Sequence, residues 1–176
     1  MNDLITLEEY KAYKQIGNPE KDSVYSVLIS SVSSLIKSYC GQTFIDYWDT
    51  PITEVFTVKK GMNAVILNES PIRLLSGVNS EGVDITPLTY VDADTGIVYH
   101  ATEFTPGVDI LSITYTGGYP ETPSDLKLAA FELVDYYANN EHTARKQFGG
   151  SSVEYHPDKN NWPFHIRSIL DTYRDV

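Results

Sequence analysis

The stretch Ile113–Val134, ITYTGGYPETPSDLKLAAFELV, changes from strand periodicity to helix periodicity within a few residues. Ile113 and Tyr115 alternate with threonines, which is the period-two pattern of a half-buried strand. Gly117-Gly118 ends this strand, because glycine tolerates backbone angles that β-branched residues do not. Thr122-Pro123 predicts a helix start, with threonine as the N-cap and proline at the first helical position. The stretch therefore predicts a junction that holds a sheet and a helix in a fixed relation.

Helix signals also occur at both ends of the chain. Thr6-Leu7-Glu8-Glu9 has the spacing of a capping box and predicts a helix over residues 7–16, ended by Gly17. Asn18-Pro19 predicts a second helix start, and Gly41 predicts its end near residue 40. A third helix is predicted over residues 123–140 and a short terminal helix over residues 163–173.

The second helix has two distinct sides in the sequence. An apolar stripe is predicted to face the core, and it consists of Val24, Val27, Leu28, Leu35 and Tyr39. A run of small side chains lies elsewhere on the helix, at Ser23, Ser26, Ser30, Ser33 and Ser34. Small side chains let another helix approach closely, so subunit packing is one interpretation of these serines. A solvated serine face is the other.

Between residues 52 and 115 the pattern is that of strands joined by hairpin-length turns, which predicts a mostly antiparallel region. Ile52, Glu54, Phe56 and Val58 are expected on one face of the first strand. The predicted fold class is α+β: a mainly helical protein with two N-terminal helices, a central antiparallel strand region and a long third helix. Residues 1–142 are predicted to form the core, and residues 143–176 a C-terminal extension that includes the short helix.

Composition limits the function classes. The chain has 176 residues, a net charge of −11 and one cysteine. Its length suits a single domain, and no apolar run approaches the roughly 20 residues of a membrane span. The acidic charge argues against binding to nucleic-acid phosphates, whereas it suits DNA that slides past without specific contact. The N-terminal residues carry acids where a secretory signal would carry positive charge.

No catalytic, cofactor-binding or metal-binding motif stands out. Asp92, Asp94 and Gly96 resemble the start of a calcium loop, but the ligand spacing fails and a hairpin turn is expected. The four histidines lack zinc-ligand spacing. Cys40 has no nucleophile motif around it and is expected to be a small buried group. The sequence therefore predicts neither a cofactor nor an active site.

Large rings and cations occur in the polar C-terminal extension. The rings, with one proline among them, are Phe148, Tyr155, Trp162, Pro163, Phe164 and Tyr173, and the cations are Arg145, Lys146 and Arg167. Isolated rings in a polar tail are expected to dock on a surface. That surface is either the chain's own core or a partner, since Trp and Tyr dominate interface energetics and the cations suit an acidic partner.

Three stretches resemble the head–tail connector (adaptor) proteins of tailed bacteriophages. They are LITLEEYKAYKQI with VLISSVSSLIKSYCGQTF, the acidic hairpin YVDADTGIVYH, and the TYTGGYP–TPSDLKLAAFEL junction. Together they cover most of residues 4–137. The three stretches include no residue after 140, so the resemblance does not extend to that segment.

The resemblance implies a structural virion protein and not an enzyme. It implies a ring of identical subunits, usually twelvefold, that lies beneath the portal protein, seats a downstream neck or tail protein, extends the DNA channel and helps retain packaged DNA. The protein would be made in the bacterial cytoplasm and act in the virion neck. Tails of such adaptors reach the portal, so the rings and cations of the extension are the expected portal contacts, with Trp162 and Phe164 as anchors. Alternatives are another neck or tail-completion protein, or a small soluble enzyme with a dispersed site.

Overall fold

The computed structural model describes residues 2–139, 145–148, 151–154 and 162–174. The chain divides into two compact units. The β unit consists of residues 1–2 and 42–121, and the helical unit consists of residues 3–41 and 122–176. The predicted boundary between core and extension, at residues 142 and 143, lies outside the described residues and stays a prediction. The fixed relation between sheet and helix predicted at the Gly117-Gly118 junction stays a prediction as well.

The β unit contains two antiparallel sheets. Its strands are β1 (Ile52–Val58), β2 (Ala64–Ile66), β3 (Ile72–Ser80), β4 (Val83–Asp84), β5 (Thr89–Asp92), β6 (Ile97–His100) and β7 (Gly107–Gly117). The larger sheet has the order β1-β7-β3-β4, and the smaller sheet has the order β2-β6-β5. A 3-10 helix, Thr86–Leu88, precedes β5. The predicted turn between Asp92 and Gly96 is confirmed, because Gly96 N donates to Asp92 O at 3.0 Å.

Both sheets contribute to one hydrophobic core within the β unit. Val65 and Val98 enter it from the smaller sheet, and Ile113 and Tyr115 enter it from β7. The predicted alternation on β1 is confirmed, because Glu54 and Val58 are buried and Ile52 and Phe56 are half-buried, whereas Thr53, Val55 and Thr57 are exposed. The fold is α+β as predicted, but it is not mainly helical, since paired strands make up the regular structure of a whole compact unit.

A buried polar cluster lies beside this core. Tyr115 OH donates to Glu54 Oε1 and accepts a hydrogen bond from Glu69 N at 3.0 Å. The Glu69 carboxylate accepts hydrogen bonds from Thr43 N at 2.9 Å and from Phe44 N at 3.3 Å. Burial raises the pKa of Glu69 above its ordinary value despite these donors. The cluster joins residues far apart in sequence, and each partner satisfies a polar group that would be expensive to bury alone.

The helical unit contains four described helices and a pair of short strands. The helices are α1 (Leu7–Lys14), α2 (Asp22–Cys40), α3 (Ser124–Ala138) and α4 (Phe164–Thr172). Strands β8 (Arg145–Phe148) and β9 (Ser151–Glu154) pair antiparallel with each other. Helix α3 packs against α2 and α4, and its Leu126, Ala130 and Leu133 are fully buried.

Helix termini were predicted correctly where a side chain or glycine fixes them. The capping box is confirmed, since Glu9 N donates to Thr6 Oγ1 and Thr6 N donates to the Glu9 carboxylate. Gly41 ends α2 with a φ of 80°, in the left-handed region that glycine tolerates.

Three predicted termini are wrong. Helix α1 ends before Gly17, because Gln15 adopts the left-handed conformation at a φ of 55°. Helix α2 starts at Asp22 and not at Pro19, because Pro19 O accepts from Asp22 N in a turn that precedes the helix. Thr122 is not the N-cap of α3: Pro123 occupies that position with an extended ψ of 144°, and no side chain caps the helix.

The predicted core stripe of α2 is wrong at three of its five positions, while the other two, Leu28 and Tyr39, are half-buried. Val24, Val27 and Leu35 are exposed, whereas the buried apolar positions are Ile29, Val32, Ile36 and Cys40. Both sets recur at helical spacing, so the sequence pattern alone does not distinguish them. The packing of α2 against α3 decides which set is buried.

Candidate functional site

The exposed side of α2 is an uncharged surface. Within the described residues it combines exposed apolar and serine side chains, namely Ser23, Val24, Val27, Ser30, Ser31, Ser34 and Leu35, which we call the α2 face. Residues 23–36 contain no Asp, Glu, Lys or Arg, and this is the longest such run in the chain. Solvated helix faces normally carry charged residues, so the composition of the α2 face is that of a contact surface.

Four of the five serines predicted for subunit packing are exposed. Ser23, Ser26, Ser30 and Ser34 are exposed, and the Ser26 hydroxyl donates to Asp22 O at 2.9 Å. Ser33 is buried and accepts a hydrogen bond from Leu4 N at 3.0 Å. Ser33 therefore fastens the N-terminal segment of its own unit, and it is not available to a neighbour.

A shallow apolar pocket adjoins the α2 face. It is lined by Leu28, Ser31, Val32, Leu35 and Tyr137. Four of these residues lie on α2, and Tyr137 comes from α3. Since the lining has almost no polar groups, the pocket suits an apolar side chain and lacks the convergent polar groups of a substrate site.

Two rings of the extension dock on their own unit. Trp162 is only 7% exposed, its Nε1 donates to the Tyr137 hydroxyl at 3.2 Å, and its ring lies 4.9 Å from that of Tyr39. The Tyr173 hydroxyl donates to Asp125 Oδ1 at 2.6 Å. These contacts favour the alternative in which part of the extension packs on the chain itself.

The other predicted contact residues differ in their placement. Phe164, the first residue of α4, is 73% exposed. Pro163, the N-cap of this helix, is half-buried. Arg167 Nε lies 3.5 Å from Asp171 Oδ2 on the same helix. Arg145, Lys146 and Phe148 lie on β8. Their side chains, and the whole of Tyr155, are outside the described residues. The role of the set in binding a partner stays a prediction.

Several cations of the helical unit are engaged in ion pairs between its helices. Lys11 Nζ lies 2.7 Å from Asp22, and Lys127 Nζ lies 2.8 Å from Glu9. Lys14 donates to Asp135, and this hydrogen bond raises the pKa of Lys14. These pairs hold α1 against α2 and α3, so they help to fix the position of the helix that carries the α2 face.

The remaining candidates for chemistry are structural. Cys40 is buried as predicted, and its Sγ contacts Leu170 O at 3.7 Å. Among the described residues, no group of three or more His, Cys, Asp or Glu side chains is placed to hold a metal ion. None of the described helices is long and apolar enough to cross a membrane.

Comparison with known proteins decides the class of protein. A family model described as head completion protein matches residues 3–176. The chain belongs to the head completion protein family. A head completion protein of Escherichia phage T5 is 31% identical over 174 residues, which cover 98% of this chain and 99% of that relative.

Solved structures of neck proteins share the fold. One is from the neck of an empty gene transfer agent (GTA) particle computed with C6 symmetry, at a TM-score of 0.63 and 14% identity, covering 98% of this chain and 90% of that one. Another is from the neck of a native GTA particle computed with C12 symmetry, at a TM-score of 0.61 and 13% identity, covering 99% of this chain and 94% of that one. At these identities the likeness concerns the fold.

The family assignment confirms the resemblance to head–tail connector proteins. The chain is a structural head completion protein of a phage and not an enzyme. The sequence prediction missed the apolar half of the α2 face, because Val24, Val27 and Leu35 were assigned to the core. The signal in the sequence is the long uncharged run of residues 23–36. A helix with one buried face normally carries charged residues on its other side, and this run has none.

Proposed function

We propose that this chain forms a ring of identical subunits, twelvefold in number, beneath the portal protein of a tailed phage. The ring extends the DNA channel, seats the next neck or tail protein and helps retain packaged DNA. The observation that carries the proposal is family membership over nearly the whole chain, with a head completion protein of phage T5 as a 31% identical relative. The neck structures with C12 and C6 symmetry support a ring, since their fold covers almost all of this chain.

The charge of the chain supports its place around DNA. Twenty-four acidic residues against thirteen Lys and Arg give a surface that repels phosphates. Several of the described lysines are paired with carboxylates of their own unit, which leaves fewer cations for DNA. DNA therefore passes through the ring without specific binding. The chain is synthesised in the host cytoplasm and acts in the virion neck.

The C-terminal extension contacts the portal protein in this proposal. Phe164 is an exposed ring of the extension, and Arg145 and Lys146 lie on β8 in the same extension. An exposed ring and cations in one extension suit a partner surface that carries both apolar and acidic groups. Trp162, two residues before Phe164, is buried against Tyr39 and Tyr137 and holds this part of the extension in place.

The proposal is tested by replacing the gene with an inactive copy in the phage that encodes it and examining the particles. We expect heads without tails that lose their DNA, and we expect wild-type particles to show twelvefold density for this chain between portal and tail. Normal tailed particles without the chain, or density elsewhere in the tail, would overturn the proposal. Density at the tail end of the neck would favour a tail-completion protein.

The portal contact is tested with Phe164→Ala supplied in place of the wild-type chain. We expect fewer tailed particles, because the exposed ring is lost without a change in the fold. Leu128→Ala is a matched control, since Leu128 is also an exposed large residue of the helical unit. Equal yields of tailed particles from the two variants would contradict a portal contact through Phe164.

A further inference from the structure

We propose that the α2 face is the surface on which a neighbouring copy of this chain packs. This inference rests on the proposed ring, and it names the partner of one surface within it. The first observation is exposure: Val27 is 67% exposed and Val24 is 54% exposed, although both are apolar. They lie on the same side of α2 as exposed serines, so the apolar area is continuous with small side chains.

The second observation is charge, which bears on the identity of the occupant. DNA would require cations on this surface, and a basic partner would require carboxylates. The run of residues 23–36 has neither. A second copy carries the same net charge of −11 and is repelled wherever carboxylates face each other. The residues of the α2 face carry no charge, so a second copy that packs there avoids this repulsion, which favours it as the occupant.

The third observation is shape. The pocket lined by Leu28, Ser31, Val32, Leu35 and Tyr137 forms a depression beside the ridge of Val24 and Val27. Small serine side chains between larger apolar ones let a partner element seat its ridge in this groove. In a ring each subunit uses two different surfaces. The α2 face therefore receives a different face of the neighbour, and the contact repeats around the ring without pairing α2 with α2.

The test places a photo-crosslinking phenylalanine analogue at Val27 of the chain in assembled particles. We expect adducts of twice the chain's mass, and longer ones where successive subunits are linked, that yield peptides of this chain alone. The matched control carries the analogue at Val83, which is 63% exposed in the β unit. An adduct with a different protein, or no adduct at Val27, would overturn the inference.

Labelling with a maleimide provides a second measurement. Val27→Cys is expected to react in the free chain and to lose that reactivity in assembled particles, whereas Val83→Cys stays reactive in both. Native Cys40 is buried, so it adds little background. Equal labelling of Val27→Cys in the two states contradicts the inference and leaves the proposed function intact. If immunoblots show no chain in wild-type particles, the proposed function itself fails and the inference fails with it.

Discussion

A Cβ atom placed on Gly118 would lie 2.0 Å from the carbonyl oxygen of Phe44. That oxygen accepts a hydrogen bond from Tyr119 N at 2.6 Å, and Phe44 itself has a φ of 70°. Gly118 also has a positive φ, of 89°. The double glycine that ends β7 is therefore needed for more than a turn, because the backbone of a distant segment packs directly on it.

Gly118→Ala is expected to destabilise the β unit by at least about 2 kcal/mol, since it adds a backbone clash to the strain of a positive φ. Gly61→Ala is the matched control, because Gly61 has a φ of 84° but no atom near its Cβ position. Urea unfolding of the two variants separates strain from clash. Equal losses would show that the approach to Phe44 carries no penalty.

Thr6→Ala is expected to lower the free energy of unfolding by about 1 kcal/mol, because Glu9 N loses its hydrogen bond to the threonine hydroxyl. Thr6→Ser keeps a hydroxyl in the same place and should restore most of that loss. Thermal and urea unfolding measure both variants. A serine variant as unstable as the alanine variant would indicate that packing of the methyl group, and not the cap, matters.

Tyr115→Phe is expected to cost about 1–3 kcal/mol, because its hydroxyl is buried between Glu54 and Glu69 N and both would lose a partner. The control is Tyr90→Phe, whose ring is exposed and should change the free energy of unfolding by less than about 0.5 kcal/mol. Urea unfolding at neutral pH compares them. No difference between the two variants would mean that water replaces the missing hydroxyl.

Glu69→Gln is expected to change how stability depends on pH. The pKa of Glu69 is raised in the folded chain by burial, so the folded state holds its proton more tightly than the unfolded state. The contribution of Glu69 to the free energy of unfolding is therefore present at low pH. It decreases as pH rises from 4.5, the ordinary pKa of a glutamate, through the raised pKa. The wild-type chain should lose stability relative to Glu69→Gln across that window. Parallel unfolding curves for the two proteins at every pH would contradict the raised pKa.

Trp162→Ala and Phe164→Ala are expected to differ sharply in stability, although both replace a ring of the extension. Trp162 is buried against Tyr39 and Tyr137, so its removal should cost about 3–5 kcal/mol. Phe164 is exposed, and its removal should change stability by less than about 0.5 kcal/mol. Thermal unfolding of the two variants tests this, and similar melting temperatures would contradict the docking of Trp162.

The sequence predicted the features that depend on near neighbours. The Thr6–Glu9 capping box, the left-handed Gly41 and the alternation along β1 all follow from side chains within a few residues, and the structure confirms them. The resemblance to connector proteins was also visible in local stretches. The start of α3 was missed, because Thr122-Pro123 fits a cap by residue type while the backbone of Pro123 is extended.

Only the tertiary structure decided which side of α2 is buried, where Trp162 lies, and why Gly118 must be glycine. Each of these depends on residues far apart in the chain: α3 covers one of two apolar sides of α2, Tyr137 receives the Trp162 indole, and Phe44 O meets the backbone at Gly118. Local patterns fix the conformation of a segment, because they act through its own backbone. Burial is decided by the packing of distant segments, and that packing left the α2 face uncovered.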